Sequence, residues 1–366
     1  MTEREAYLAF NLLPGIGPVR IRRLLDVFGS PESVLLAGRD RLRSVDGIGP
    51  ELASKIAGWE SHIDLGREKR RIREEGLKLA IPTDEHYPAN LKQTHDPPLA
   101  LYVKGQLIPA DRHAVAIVGS RRTTNYGIEC ARRFGFQLAH AGLTVISGLA
   151  RGIDTAAHEG ALAAHGRTIA VIGSGLGEIY PAENKVLAER IADNGAVVSE
   201  FPIDFPGDKQ SFPLRNRIVA GWGFGVLVVE APTRSGALIT ANQAIEIGRS
   251  VFAVPGPIDR PTSQGTNKLI QDGAKLVTCV EDILDETGEL FPASPEPAEL
   301  VKTAPAADLS AEEQKIYDLL GSDEIQIDEI ISQADLPAPV ASTTLMKLEM
   351  KRLVKQLPGK YFVKLL

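Results

Sequence analysis

The sequence predicts an α/β protein. A central, extended, Rossmann-like, doubly wound and mostly parallel sheet is flanked by an N-terminal all-α domain and a C-terminal winged-helix domain. Three observations carry this. Short, nearly all-apolar runs such as Val115–Val118, Thr168–Ile172 and Val226–Glu230 alternate with helical stretches, as in a parallel sheet covered on both faces. Before residue 70 there are only short helical patterns. After residue 309, three helical patterns precede a hairpin built around Pro358-Gly359.

Size and composition agree. At 366 residues the chain exceeds one ordinary core, so two or three domains are expected. Hydrophobic content of 43% and charged content of 24% are those of a soluble globular protein. The charged start Met1-Thr2-Glu3-Arg4-Glu5 is followed by no long apolar run, so neither a secretory signal nor a spanning helix is expected. Cys130 and Cys279 are the two cysteines, which argues against a disulfide framework or a thiolate zinc site and fits a reducing cytoplasm. The net charge is −6, but Glu281–Glu329 holds fifteen acids against two lysines. The remainder is therefore positive by 7, which leaves room for a basic groove.

In chain order, residues 1–70 contain a repeat. Leu13-Pro14-Gly15-Ile16-Gly17-Pro18 and Val45-Asp46-Gly47-Ile48-Gly49-Pro50 each open a helix. The pattern is similar to tandem helix-hairpin-helix motifs, in which two glycines let backbone N–H groups approach a phosphate. Arg20, Arg22 and Arg23 point the first copy toward phosphate, whereas Asp46 and Glu51 make the second structural. Residues 75–285 form the sheet domain. Its strands are expected at Leu77–Ile81, Leu99–Val103, Val115–Val118, Leu143–Ser147, Thr168–Ile172, Ala196–Ser199, Val226–Glu230, Val251–Val254 and Lys275–Val277. Residues 286–308, rich in Pro, Ala and Glu, read as a linker. Residues 309–366 read as winged helix, with Lys347, Lys351, Arg352, Lys355 and Lys360 available for DNA or, equally, for a protein partner.

Doubly wound sheets bind ligands outside the carboxyl ends of their strands, and the strand ends here are rich in small and cationic residues. Val118-Gly119-Ser120-Arg121-Arg122-Thr123-Thr124 combines close backbone approach, hydroxyls, a helix start and charge, an anion site in sequence terms. Ser147-Gly148-Leu149-Ala150-Arg151-Gly152-Ile153-Asp154, Gly173-Ser174-Gly175 and Thr233-Arg234-Ser235-Gly236 end other strands. Ser211-Phe212-Pro213-Leu214-Arg215-Asn216-Arg217 places a ring and two guanidiniums within seven residues, suited to a stacked base and its phosphates. Arg215 and Arg217 lie on adjacent turns of one helix, so at least one is expected to face inward and brace the loop. No complete dinucleotide fingerprint and no P-loop occurs. The seven histidines show no metal spacing, and Asp154–His158, one helical turn apart, reads as structural. A track for single-stranded nucleic acid and a single-nucleotide site both remain open on these residues.

These motifs occur in a telling order. Ile117-Val118-Gly119-Ser120-Arg121, Ser147–Asp154, Phe212-Pro213-x-Arg215-Asn216-Arg217-Ile218 and Ser235-Gly236-Ala237-Leu238-Ile239-Thr240 are followed by Val254-Pro255-Gly256 and Gly265-Thr266-Asn267-Lys268-Leu269-Ile270. Over residues 75–285 the chain closely resembles the DNA-processing protein A family (DprA/Smf). The resemblance implies a SAM-like or helix-hairpin-helix front and a winged-helix tail. It also implies a cytoplasmic, non-enzymatic protein of natural transformation that binds and protects single-stranded DNA, loads RecA recombinase and forms a homodimer through the Rossmann-like domain. No cofactor or metal is implied. DNA contacts are expected at Gly119, Ser120, Arg121, Gly148, Lys209, Phe212, Arg215, Asn216, Arg217, Ser235 and Gly236, with Asp208 partly offsetting Lys209. Two alternatives have related features: a lysine-decarboxylase-like nucleotide phosphoribohydrolase, whose glycine cluster is replaced here by Ala231-Pro232-Thr233-Arg234-Ser235-Gly236, and a mononucleotide sensor.

Overall fold

A computed structural model of the chain describes residues 1–286, 309–320, 325–351, 353–357 and 359–364. The chain divides into two compact units, residues 1–288 and 289–366. Of the expected linker at 286–308, Glu286 is described and the rest, like Arg352 and Pro358 in the tail, lies outside the described residues.

The first unit begins with helices α1 (Glu3–Leu12), α2 (Pro18–Phe28), α3 (Pro31–Leu35), α4 (Arg39–Arg43), α5 (Pro50–Ala57) and α6 (Leu65–Glu74). Thr2 and Glu5 form a capping box that starts α1. Pro18 and Pro50 sit at the first helical positions after the two glycine turns, where a missing N–H costs nothing and φ is already helical. The helices close on Phe10, Leu24, Leu42 and Ile56, and Ile81 and Leu99 from the front of the sheet enter the same core.

The sheet strands are β1 (Lys78–Ala80), β2 (Leu101–Gly105), β3 (Ala114–Val118), β4 (Thr144–Ser147), β5 (Thr168–Ile172), β6 (Ala196–Ser199), β7 (Gly225–Val228), β8 (Ser250–Ala253) and β9 (Lys275–Leu276). Their spatial order is β1-β2-β6-β5-β4-β3-β7-β8-β9. The pairings β1–β2 and β2–β6 are antiparallel and the rest parallel. Ala116 pairs with Ile146 on one side and Val226 on the other, so the strand order reverses at β3. The loops after β3, β4 and β7 therefore diverge around a crevice at the carboxyl edge.

Helices α7 (Ala89–Lys92), α8 (Asn125–His140), α9 (Ile153–Ala163), α10 (Lys185–Asn194), α11 (Ser211–Trp222), α12 (Gly236–Glu246), α13 (Gln264–Gln271) and α14 (Glu281–Leu284) complete this unit. Strand residues alternate between faces. Ala114, Ala116, Val118, Val226 and Val228 share a core with Ile218, Val219 and Trp222 of α11 and Ala237 and Ala241 of α12. On the opposite face, Ala170, Ile172 and Val197 pack with Leu187 and Ile191 of α10. The return from β6 to β7 runs through α11, which lays its N-terminal turn beside the crevice.

The second unit holds α15 (Ala311–Leu319), α16 (Ile327–Ala334), α17 (Ala338–Met350) and strands β10 (Ile325–Gln326), β11 (Val354–Leu357) and β12 (Tyr361–Lys364) in the order β10-β12-β11. Ile316, Ile330, Leu345, Leu348 and Phe362 make its core. This is the expected winged helix with one addition. The two-residue β10 was absent from the sequence reading, because so short an edge strand has no periodicity of its own.

Trp222 ties the first unit together. It is fully buried, its Nε1 donates to the Asp111 carbonyl at 3.2 Å, and its own carbonyl accepts from Asn90 at 3.1 Å. Trp222→Ala is expected to cost about 3–5 kcal/mol, the range for deleting a buried aromatic, read as a lowered urea midpoint.

Candidate nucleic-acid interface

The crevice floor is built from the loops after β3 and β4. At the end of β3 the Ser120 N–H donates to the Glu230 carbonyl at 2.7 Å. The Ser120 hydroxyl donates to the Arg122 carbonyl at 2.7 Å and accepts from the Arg122 N–H at 3.1 Å. It is buried and closes a tight turn. The Ser120 hydroxyl, expected to face a ligand, is engaged within its own turn, and Arg121 and Arg122 beside it are both exposed. Gly119 packs against Ile153 at the start of α9.

Gly148 has to be glycine. Its N–H donates to Asp154 Oδ2 at 3.1 Å and its carbonyl accepts from Arg215 Nη1 at 2.6 Å. A Cβ there would lie 2.7 Å from both Arg215 Nη2 and Asp154 Oδ2. Gly152 adopts φ +78°, and a side chain on it would meet the Ser120 carbonyl at 2.5 Å, so the β3 and β4 loops touch backbone to backbone.

The anion site expected at the start of α8 is already filled by the protein. The Glu230 carboxylate accepts from the Thr124 N–H and the Thr124 hydroxyl, each at 2.9 Å, and from the Thr123 hydroxyl. This buried acid caps the helix. The phosphate-binding capacity of the β3 loop thus rests on its arginines.

Arg215 is buried, with Nη1 donating to the carbonyls of Gly148 and Val171. Burial lowers its pKa to about 10, an effect that Asp154 opposes and Arg121 adds to, so it stays charged at neutral pH. Burial raises the Asp154 pKa, while Arg215 and the N–H groups of Ala150 and Gly148 pull it down. Asp154 does not pair with His158. The His158 Nδ1 lies 2.7 Å from Thr168 Oγ1, whose own proton goes to the Val145 carbonyl at 2.7 Å. That geometry assigns the neutral Nδ1–H tautomer and leaves a buried, unpartnered Nε2. Burial lowers the His158 pKa to about 3. Arg217 is held by Glu200 at 2.5 Å and Asp96 at 3.0 Å. Arg215 and Arg217, both expected to contact DNA, are engaged within the protein: the first supports the crevice floor, and the second pins α11 to neighbouring acids.

Above this floor is a cavity of about 190 Å³ lined by Arg121, Arg122, Arg151, Tyr180, Phe212 and the edge of Arg215. The Arg121 guanidinium lies over the Phe212 ring, 5.2 Å from its centroid. The Tyr180 ring is tilted against Phe212 at 5.6 Å. Among the described residues, neither Arg121 nor Arg122 has an acidic partner within salt-bridge distance. Arg151 forms a two-pronged ion pair with Glu183.

The fold thus gathers Gly119, Arg121, Gly148, Phe212 and Arg215 in one place. It sets Lys209 apart, exposed in an open cleft of about 770 Å³ on the Pro213–Leu214–Arg217 side of α11. Positions 212 and 215 share one helical face and 213, 214 and 217 another, which follows from the 100° step. Ser235 caps α12 by accepting from the Ala237 N–H at 3.3 Å, and Asn216 donates to the Gly236 carbonyl at 3.3 Å. These three residues join α11 to α12. Tyr180 and Arg151 were not among the expected contacts. Arg151 stood in the motif that ends β4, and Tyr180 follows the Gly173-Ser174-Gly175 run that ends β5 by five residues, but only the folded loops bring them to the cavity. The three arginines of the first N-terminal hairpin are engaged internally: Arg20 with the Gly15 carbonyl at 2.9 Å, Arg22 with that of Thr94 at 3.2 Å and Arg23 with Asp46 at 2.8 Å. In the tail, Lys351 pairs with Glu313 at 2.8 Å, while Lys347, Lys355 and Lys360 are exposed. Among the described residues no cluster of His, Cys, Asp or Glu is arranged to hold a metal, and no helix is long and apolar enough to cross a membrane.

Fold and site define a doubly wound α/β protein with an arginine- and aromatic-lined crevice at its topological switch, joined to a helix-hairpin-helix front and a winged-helix tail. The chain matches the DNA recombination-mediator protein A family over residues 78–288, the DprA winged helix domain over 301–360 and a SAM-like helix-hairpin-helix tandem over 10–57. It belongs to the DprA/Smf family. Protein Smf of Synechocystis is 33% identical, with 98% of each chain aligned, and Protein Smf of Escherichia coli is 42% identical over 77% of this chain and 76% of its own. Among solved structures, DNA processing protein A from Streptococcus pneumoniae is 37% identical with a TM-score of 0.68, covering 78% of this chain and 98% of its own. The Helicobacter pylori protein, solved for its single-stranded DNA binding mode, is 31% identical with a TM-score of 0.53, covering 59% of this chain and 97% of its own.

Arg215→Met is expected to destabilise the fold by about 3–5 kcal/mol, because it leaves Asp154 buried without its charge partner; Arg121→Ala is expected to stay within about 0.5 kcal/mol. Urea denaturation separates the two. His158 gives a pH signature. Its folded pKa of about 3 lies below its unfolded value, so stability is intact above pH ~6.5 and falls as the unfolded chain takes up the proton. Between pH ~6.5 and about 3, His158→Gln is expected to remove up to ~1.4 kcal/mol per pH unit of the wild-type slope, read from urea midpoints across that range.

Proposed function

We propose that this protein binds single-stranded DNA in the crevice formed by the β3, β4 and β5 loops and the start of α11, and acts in DNA processing during transformation as a recombination mediator. The carrying observation is Arg121 over Phe212, beside Arg122, above a floor whose own charges are internally balanced. A guanidinium over a ring offers a phosphate contact and a flat cationic surface together. A ring and guanidinium lining a cavity suit a flexible single strand, whose bases can turn outward to stack, better than a duplex, whose bases are paired inside. The single-stranded DNA binding of the Helicobacter pylori relative supports the same reading.

The protein's work in this reading is non-catalytic and cytoplasmic. A homodimer joined through the Rossmann-like domain shields the strand and passes it to RecA recombinase. Gly119, Ser120, Gly148 and Arg215 shape the floor. Arg121 and Phe212 meet DNA. Lys209 extends the basic track along the far side of α11, and Asn216, Ser235 and Gly236 hold the edge between α11 and α12.

Fluorescence anisotropy with a labelled oligothymidylate, titrated across potassium chloride, tests this. Affinity is expected to fall with salt, with a slope of about −0.7 per neutralised phosphate, and to exceed that for a duplex of equal length. Phe212→Ala is expected to weaken binding by roughly fivefold to more than a hundredfold, the range for losing a base-stacking ring. Arg121→Ala is expected to weaken it and flatten the salt slope. Unchanged binding in both variants would rule the reading out.

A further inference from the structure

In the free protein Arg121 already lies over Phe212. The aromatic surface left open at the cavity mouth is that of Tyr180, 47% exposed, with its ring centroid 5.6 Å from that of Phe212. Arg151 lines the same cavity, yet it is occupied: Nε and Nη2 donate to the two carboxylate oxygens of Glu183, the second at 3.0 Å. A carboxylate gripped by a guanidinium fork copies the geometry in which arginine grips a phosphate.

The pair is held from beneath. Next to Glu183, Asn184 donates to the Leu149 carbonyl at 2.8 Å and to the Thr155 hydroxyl at 2.9 Å, which stitches its loop to the one carrying Arg151. The Ala150 N–H is fixed by Asp154 at 3.3 Å. The backbones are thus locked, while the side chains of Arg151 and Glu183 remain 58% and 51% exposed. An ion pair so open to water contributes little net stability and exchanges readily.

We propose that Tyr180 and Arg151 form a second nucleotide subsite beside Arg121 and Phe212, with Tyr180 stacking a base and Arg151 taking its phosphate, and that Glu183 occupies that phosphate position until a strand displaces it. This rests on the single-stranded DNA reading above. Glu183 acts as a built-in competitor: it orients the Arg151 fork and sets a threshold against isolated anions. A strand already held at Arg121 crosses that threshold because its next phosphate arrives at high local concentration. Thymidine monophosphate, lacking a second anchor, displaces Glu183 poorly.

The test is oligothymidylate binding by the full-length protein across potassium chloride, with Arg121→Ala in parallel. Glu183→Gln is expected to tighten binding by three- to tenfold at low salt and to raise thymidine monophosphate affinity by at least as much. Arg151→Ala in the Glu183→Gln background is expected to erase that gain and to lower the salt slope by about 0.7, one phosphate. Tyr180→Ala is expected to weaken binding roughly fivefold or more, with Tyr180→Phe close to wild type. Thermal melts of each variant check the fold. If Glu183→Gln changes neither affinity nor slope while Arg121→Ala weakens binding, the guarded subsite is wrong and the crevice reading stands. If Arg121→Ala is also without effect, the crevice reading itself falls.

Discussion

The site depends on one buried charge arrangement, Asp154 and Arg215 around the backbone of Gly148. Asp154 ties the Gly148 and Ala150 N–H groups to the start of α9, and Arg215 ties the Gly148 and Val171 carbonyls to α11. Three segments distant in sequence are thereby fixed at the strand ends. Burying either charge alone would be costly. Together, with their hydrogen bonds satisfied, they form a rigid polar floor.

That floor sets the electrostatics above it. Asp154 opposes the cost of burying the Arg215 charge, and the start of α8 is capped by Glu230. The arginines of the β3 loop face solvent, beside a serine whose hydroxyl closes the turn. A hydrogen-bonded floor and exposed cations make a division of labour suited to a polymer ligand. In the proposed function the floor fixes where a strand would lie, and the exposed side chains would meet its phosphates. The net charge of −6 is concentrated in sequence, with fifteen acids against two lysines between Glu281 and Glu329, and the rest of the chain is positive.

Much of this architecture was legible in the sequence. The nine strands of the main sheet fall within a few residues of their expected positions, because apolar runs bounded by glycine and proline have few other ways to bury themselves. The two glycine-proline turns opened helices for the same local reason. Phe212 and Arg121 were recognisable as a pair of chemical types, and the glycines beside them as places of close approach.

Side-chain direction was decided only by the tertiary structure. Arg215 and Arg217 look alike in sequence, two positions apart. One faces a buried aspartate and the other two partly exposed acids, because the helical step sends them to different surfaces of α11. Ser120 and the helix start at Thr124 read as ligand groups until Glu230, 106 residues from Thr124, arrived to occupy the latter. The competition between Glu183 and any phosphate for Arg151 spans 32 residues and two loops. By itself the sequence determined which segments pair and which chemistry gathers at the strand ends, since both follow from local pattern. Which cation faces a strand of DNA and which is neutralised depends on partners that only the completed fold brings within hydrogen-bond reach.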